Sequence, residues 1–193
     1  MSKTTSFSRR DLAYIRSEFI DLEDLSSERG ASPDDVRRQI VAGRLPRPSY
    51  VLDEGVEMVP ADYFVLADEA GGPESLREHF QARFVAAGGS AAEAEDEWQW
   101  YLSGIYGICL REVTPETIFR KGALVSSLER LLDAPQPEEP AWRRQLRAEV
   151  DELDTLERQF SPDYDRSGRF PVAPSRDRLI ARARSDFPEA FRE

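Results

Sequence analysis

Residues 97–112 read EWQWYLSGIYGICLRE, and this stretch decides the fold that we expect. It holds two of the three tryptophans and the single cysteine. Its apolar positions 98, 102, 105 and 109 recur at helical spacing, and most neighbouring positions are also apolar or aromatic. A helix that is apolar on nearly all sides is typical of the centre of a helical domain. We therefore predict one continuous helix over residues 91–112, with the other helices packed around it.

Two glycines, Gly104 and Gly107, lie inside this predicted helix. Each of them costs about 1 kcal/mol relative to alanine at an interior helical position. A glycine at such a position indicates that another backbone or a ligand comes close. We therefore expect a close approach to the chain at this point.

The composition indicates a globular protein of one domain, with or without a small appendage. The chain has 193 residues, of which 40% are hydrophobic and 33% are charged, and its net charge is −11. This negative charge disfavours general binding to nucleic acids or to anionic membranes. One cysteine cannot form an internal disulfide, and the first residues lack the apolar run of a signal peptide. We therefore expect a cytoplasmic protein without membrane spans.

Residues 8–66 form the first predicted unit, and helix start signals organise it. The helices follow Ser8, Asp21 and Ser32 and cover residues 9–19, 22–29 and 33–42. Two extended runs, residues 45–52 and 56–59, then flank a turn at Gly55. Such a pair of runs predicts a β-hairpin.

This unit resembles the winged helix-turn-helix of the excisionase and MerR-type families. The resemblance rests on DLS at residues 24–26, SPDDVRRQI at 32–40 and GRLP at 43–46. It implies a DNA-binding transcriptional regulator as one alternative. The arginines that would then contact phosphates are Arg37, Arg38, Arg44 and Arg47.

Acidic residues in the same unit count against DNA binding. Asp34 and Asp35 open the 33–42 helix, which is the second helix of the helix-turn-helix. Residues that read bases usually lie at this position. Over residues 1–66, nine cations face twelve acids. Phosphate contacts supply most non-specific affinity for DNA, so we favour a scaffold that serves packing or partner contact.

Residues 73–193 form the second predicted unit, a helical domain built around the 91–112 helix, and residues 67–72 join it to the first. The other helices of this domain are predicted at 73–87, 115–132, 142–160 and 175–185, with a proline-rich linker at 133–140. Phe187 and Phe191 are expected to dock the tail. The predicted fold class is therefore mainly α, with seven or eight helices and one small β-hairpin. The side chains expected to be buried together are Phe80, Phe84, Trp98, Leu102, Ile105, Val125 and Leu128.

The corner after the central helix, where the next helix begins at Thr114-Pro115, is the best candidate for a site. Lys121 is expected there, and it is one of only two lysines among 26 Lys and Arg residues. Cations beside a free helix start suit a carboxylate, phosphate or sulfate. The candidate ligand-binding residues are Arg111, Arg120, Lys121, Tyr106, Glu116 and Trp98. An ion-pair network, with Glu116 bound to Arg120 at i,i+4 spacing, is the alternative that we favour.

No motif predicts catalysis, a metal site or a cofactor. His79 is the only histidine, and no partner for a triad or a zinc site lies at a suitable spacing. Cys109 is expected to be a small core residue rather than a nucleophile. Catalytic residues are therefore unassigned, and we expect neither metal nor cofactor.

Three segments resemble an uncharacterised bacterial family, domain of unknown function 6058. They are residues 45–50, 58–64 and 100–118, and the similarity is expected to span residues 20–132. Members are labelled natural-product biosynthesis proteins, which implies a role in secondary metabolism. We therefore expect an accessory or co-catalytic small subunit that binds a small anionic intermediate or a partner, either an enzyme or a second copy of the chain. A DNA-binding regulator and a structural interaction module are the alternatives.

Overall fold

The computed structural model describes residues 6–192. In this range the chain folds into ten α-helices and one three-stranded antiparallel sheet, so the predicted mainly α class is confirmed. The helices are α1 (Arg9–Glu18), α2 (Leu22–Glu28), α3 (Pro33–Val41), α4 (Val65–Glu69), α5 (Leu76–Ala86), α6 (Ala91–Leu102), α7 (Ile105–Cys109), α8 (Pro115–Asp133), α9 (Pro140–Leu156) and α10 (Arg182–Asp186). The strands are β1 (Ile20–Asp21), β2 (Tyr50–Val51) and β3 (Glu57–Val59). A π-helical turn (Arg176–Ala181) leads into α10.

Capping side chains begin several helices where the sequence predicts a start. The Ser8 hydroxyl accepts from the Asp11 N–H, and the Asp11 carboxylate accepts from the Ser8 N–H at 2.9 Å. Ser90 and Thr114 make equivalent reciprocal caps at α6 and α8. Each cap satisfies N–H groups that have no partner inside the helix, which fixes the helix start.

The sheet contains the predicted hairpin and one strand that the sequence did not indicate. Its strand order is β1-β3-β2, and both pairs are antiparallel. Tyr50 lies opposite Met58 in the hairpin, while Ile20 of β1 lies opposite Val59. A strand of two residues is too short to show an alternating pattern, so β1 could not be recognised from periodicity.

The prediction of one continuous helix over residues 91–112 is wrong, because α6 ends at Leu102 and α7 is a separate short helix. Gly104 links them with a φ of +81°, in the left-handed region that glycine adopts most readily. The Arg47 N–H donates to the Leu102 carbonyl at 2.9 Å, and a Cβ at Gly104 would overlap with the Arg47 carbonyl group. The expected close approach of another backbone is therefore confirmed, and it coincides with the break.

Two further boundaries differ from the prediction. The helix α9 ends at Leu156 rather than at residue 160, because Glu157 enters an antiparallel bridge with Leu110. Part of the expected 67–72 joint belongs to α4. Together, α4 and α7 account for the excess over the expected seven or eight helices within the described range.

The buried side chains form two clusters, so the expected single core is wrong. Phe80, Phe84 and Trp98 belong to the first cluster, which has members on both sides of the 67–72 joint. Leu128 belongs to the second, where α8, α9 and the C-terminal segment meet and where Phe187 and Phe191 pack as predicted. The nineteen-residue helix α8 is long enough to reach both clusters, with Ile118 in the first and Leu124 in the second.

Three residues that were expected to be fully buried are only partly so: Leu102, Ile105 and Val125. The break at Gly104 explains two of them, since Leu102 and Ile105 lie on either side of it and no longer continue one helical face. No helix within residues 6–192 combines the length and the apolar character needed to cross a membrane.

Candidate functional site

The charged side chains of the predicted corner bind partners on different helices. Arg120 binds Glu152 of α9 through two nitrogens, each 2.5 Å from a carboxylate oxygen. Glu116 instead binds Arg83 of α5 through two hydrogen bonds of 2.8 Å. The expected i,i+4 pair between Glu116 and Arg120 is therefore wrong, because each side chain reaches a different neighbouring helix.

Lys121 is mostly buried, with 15% of its side chain exposed, and its ammonium lies 3.1 Å from the wholly buried Glu157. Burial disfavours the charged form of Lys121, but the neighbouring Cys109 and Glu157 more than offset this effect, so the pKa of Lys121 lies above its ordinary value. Burial also raises the pKa of the Cys109 thiol. Ser175 donates a further hydrogen bond to Glu157. This buried cluster joins α7 and α8 to the end of α9.

The other predicted ligand residues lie in different surroundings. Arg111 is exposed, and its backbone N–H donates to the Leu156 carbonyl at 3.0 Å. Trp98 is buried, and its ring stacks on Tyr101 with centroids 5.3 Å apart. Tyr106 donates its hydroxyl proton to Glu97, whose pKa is raised by burial. Anion binding at the corner stays a prediction, and two of its three cations, Arg120 and Lys121, already have carboxylate partners at Glu152 and Glu157.

A pocket lies where the helix break meets the N-terminal half of the chain. Its walls come from residues 46–49, 60–66 and 101–107, together with Val113. Gly104 and Gly107 stand in one wall, and the lack of a Cβ at Gly107 leaves room for Ser49 and for Pro60, which a Cβ would meet at 3.2 Å. The two glycines that the sequence singled out therefore mark this pocket.

Three tyrosine rings and one carboxylate give the pocket its chemistry, and we call it the tyrosine pocket. Its rings are those of Tyr63, Tyr101 and Tyr106, and its carboxylate is that of Asp62. Burial raises the pKa of the Tyr101 phenol, and the negative charge of Asp62 raises it further. Burial likewise raises the pKa values of Tyr63 and Tyr106, so the three phenols are neutral.

One oxygen of Asp62 is satisfied and the other is not. Oδ2 accepts the Val113 N–H at 2.8 Å. Oδ1 is buried, and it has no hydrogen-bond partner among residues 6–192. An unsatisfied buried polar group costs about 1–3 kcal/mol, and a charged group costs more. A donor from outside the chain would remove this penalty.

The size of the tyrosine pocket limits what can enter it. The narrow part of the pocket has a volume of about 20 Å³, and the space beyond it opens to solvent. One water-sized centre needs roughly 10–15 Å³. The narrow part therefore admits one small polar group, and any larger body attached to that group would lie outside the narrow part.

Part of this pocket is predictable from the sequence. Tyr106 was a predicted ligand residue, and the glycines were recognised as a point of close approach. Asp62 and Tyr63 are not among the predicted ligand residues, although residues 58–64 carry the family resemblance. Asp62 is 51 positions from Val113, its hydrogen-bond partner, and no local spacing signals such a pairing.

The arginines of the winged helix-turn-helix interpretation are largely occupied by acids. Arg37 binds Glu57 and Glu23, each at 2.7 Å. Arg38 pairs with Asp35, and Arg44 lies 2.7 Å from Glu74. These acids are drawn from several elements, so the charges of these three arginines are balanced locally, while Arg47 is exposed.

Comparison with known proteins gives one positive finding. Neither a search of curated proteins nor a search of solved structures returned a significant match. A model of the family of unknown function DUF6058 matches residues 75–188, from the start of α5 to beyond α10. The match begins later and extends further than the expected 20–132, and it leaves out residues 8–66. Because the matched segment is more than half of the chain, this protein belongs to the family of unknown function DUF6058.

Proposed function

We propose that this chain is a small accessory subunit in natural-product biosynthesis that binds a small molecule in the tyrosine pocket. One observation carries the proposal: Asp62 lines a pocket together with three tyrosines, and its buried Oδ1 has no hydrogen-bond partner among residues 6–192. Ligand pockets typically combine apolar and aromatic walls with a few polar groups that orient the ligand. The biosynthetic context comes from the family resemblance of the sequence.

The residues that line the tyrosine pocket are better suited to binding a ligand than to catalysing a reaction. The lining residues include Ser49, whose hydroxyl lies 3.4 Å from the Gly104 carbonyl, but no histidine or lysine that could activate it as a nucleophile. The buried Cys109 and Lys121 belong to the cluster with Glu157. An accessory subunit that holds an intermediate for a partner enzyme needs no nucleophile of its own.

DNA binding is the less favoured alternative. Arg37, Arg38 and Arg44 are engaged by acids, and each would have to give up a carboxylate to contact a phosphate. The net charge of −11 adds long-range repulsion. In a gel-shift titration at two salt concentrations, tight binding that weakens steeply with salt would favour the regulator instead.

The experiment that tests the proposal is a fragment screen followed by nuclear magnetic resonance mapping. We expect at least one small molecule to bind saturably and to shift the Val113 amide and the ring signals of Tyr63 and Tyr101. The variant Gly107→Ala places a methyl group against Ser49 and Pro60 in the pocket wall and should weaken this binding.

The matched control is Gly122→Ala on α8, where an added Cβ meets nothing within 4 Å. This variant should bind like the wild type. Fragments that bind only away from the pocket, or that bind the Gly107→Ala variant unchanged, would contradict the proposed function.

A further inference from the structure

We propose that the tyrosine pocket recognises a primary ammonium group carried on a short apolar body. The inference rests on the proposed function and adds the chemical class of the ligand to it. It follows from the free carboxylate oxygen, from the orientation of the tyrosine hydroxyls and from the size of the narrow part.

The carboxylate supplies the charge that an ammonium needs. Asp62 binds the Val113 N–H through Oδ2 only, and among residues 6–192 no arginine, lysine or histidine forms a salt bridge with it. Its Oδ1 therefore presents an uncompensated acceptor inside the protein. A buried carboxylate is stabilised by a cationic donor more than by a neutral one, because charge-assisted hydrogen bonds are the stronger kind.

The tyrosines supply ring surface, since two of their hydroxyls are engaged elsewhere. Tyr63 donates to the Pro46 carbonyl at 2.6 Å, and Tyr106 donates to Glu97. The ring faces carry negative electrostatic potential and attract cations, most strongly where water is excluded. Three such rings beside one carboxylate favour an ammonium over an anion, and Arg47, the cation among the lining residues, is exposed to solvent.

The dimensions favour a small head group. The narrow volume of about 20 Å³ matches a group the size of a water molecule, and a primary ammonium has this size. The remaining walls include Pro46, Pro60 and Leu66, which suit an alkyl or aryl body. An ordered water is the competing occupant of the narrow part, and the ligand would have to displace it.

Three probes of equal length separate the charge classes: n-butylammonium, 1-butanol and butyrate. Each is titrated into the full chain, and binding is followed by the Val113 amide and the Tyr101 ring signals. We expect n-butylammonium to bind saturably, and to bind at least about tenfold more tightly than 1-butanol, as one added charge-assisted hydrogen bond predicts. Butyrate should not bind in the pocket.

The informative variant is Asp62→Asn, whose amide oxygen can still accept the Val113 N–H. It should lose about tenfold or more of the n-butylammonium affinity without unfolding. Asp53→Asn removes one charge at an exposed turn and controls for the change in net charge. Its affinity should stay within about twofold of the wild type, because exposed charges act weakly at a distance.

The outcomes distinguish this inference from the proposed function. If 1-butanol or butyrate binds the pocket as tightly as n-butylammonium, or if Asp62→Asn binds normally, the ammonium inference is wrong and the pocket function stands. If n-butylammonium does not bind while the fragment screen yields another pocket ligand, the inference alone fails. If neither approach gives a pocket ligand, both fail.

Discussion

The backbone of Gly104 packs against the backbone of Arg47, and this contact creates the break between α6 and α7. The Arg47 N–H donates to the Leu102 carbonyl at 2.9 Å, two residues before Gly104. A side chain at Gly104 would overlap with the Arg47 carbonyl, and the φ of +81° disfavours any residue with a Cβ. The position of the tyrosine pocket, between these two segments, follows from this contact.

Gly104→Ala should therefore destabilise the protein strongly. We expect a loss of about 3 kcal/mol or more in the free energy of unfolding, from the left-handed conformation and the steric overlap together. Denaturant unfolding measures this loss. Gly122→Ala serves as the control, and it should stabilise α8 by about 0.5–1 kcal/mol. Equal effects of the two substitutions would contradict the role assigned to Gly104.

The buried pair of Lys121 and Glu157 should matter far more than the exposed pair of Arg120 and Glu152. Lys121→Met leaves the Glu157 carboxylate buried without its cation, and we expect a loss of about 3–5 kcal/mol. Arg120→Met should lose less than about 1 kcal/mol, since that pair is solvated. Denaturant unfolding of both variants measures the two losses in the free energy of unfolding, and the loss for Lys121→Met should be several times larger.

A double variant separates lost charge pairing from lost packing. Lys121→Met combined with Glu157→Leu removes both charges, and it should recover most of the stability lost in the single variant. If the double variant is as unstable as Lys121→Met alone, packing rather than an unpaired carboxylate explains the loss.

Asp11 should make the stability depend on pH. Burial raises its pKa, but N–H donors of Asp163, Tyr164 and Ser8 lower it by more, so the pKa of Asp11 lies below its ordinary value. Because the folded-state pKa is the lower one, the stabilisation is fully present above the unfolded pKa of about 3.9 and is lost as pH falls through the folded pKa.

We therefore expect Asp11→Asn to lower the free energy of unfolding near neutral pH by about 1.5–3 kcal/mol, the range for hydrogen bonds to a charged group. The difference from the wild type should shrink below a pH of about 4. Urea unfolding over a pH series measures it, with Asp53→Asn as the exposed control. A difference that does not change with pH would show that the Asp11 charge has no part in it.

Local signals predicted most helix starts, because a cap depends on residues within one turn. Ser8, Ser90 and Thr114 each satisfy N–H groups three positions away, so the sequence alone contains the whole interaction. The spacing of Phe80 and Phe84, four positions apart in one predicted helix, is equally local, and both side chains are buried as expected.

The features that the sequence did not reveal depend on distant segments. Gly104 breaks the helix because Arg47 approaches it, and Lys121 turns inward to Glu157, which is 36 positions away (157 minus 121). The pocket carboxylate was missed for the same reason, since Asp62 acquires its role only when Val113 and Tyr101 are brought beside it.

The most direct test of the central claim is a crystal structure of the protein grown with n-butylammonium. The measurement is the distance from the ligand nitrogen to Asp62 Oδ1. We predict a value of about 2.7–3.2 Å, typical of a hydrogen bond, with the butyl group against the tyrosine rings. A crystal that contains the amine while Asp62 Oδ1 is bound only to water or to a protein donor would contradict the account.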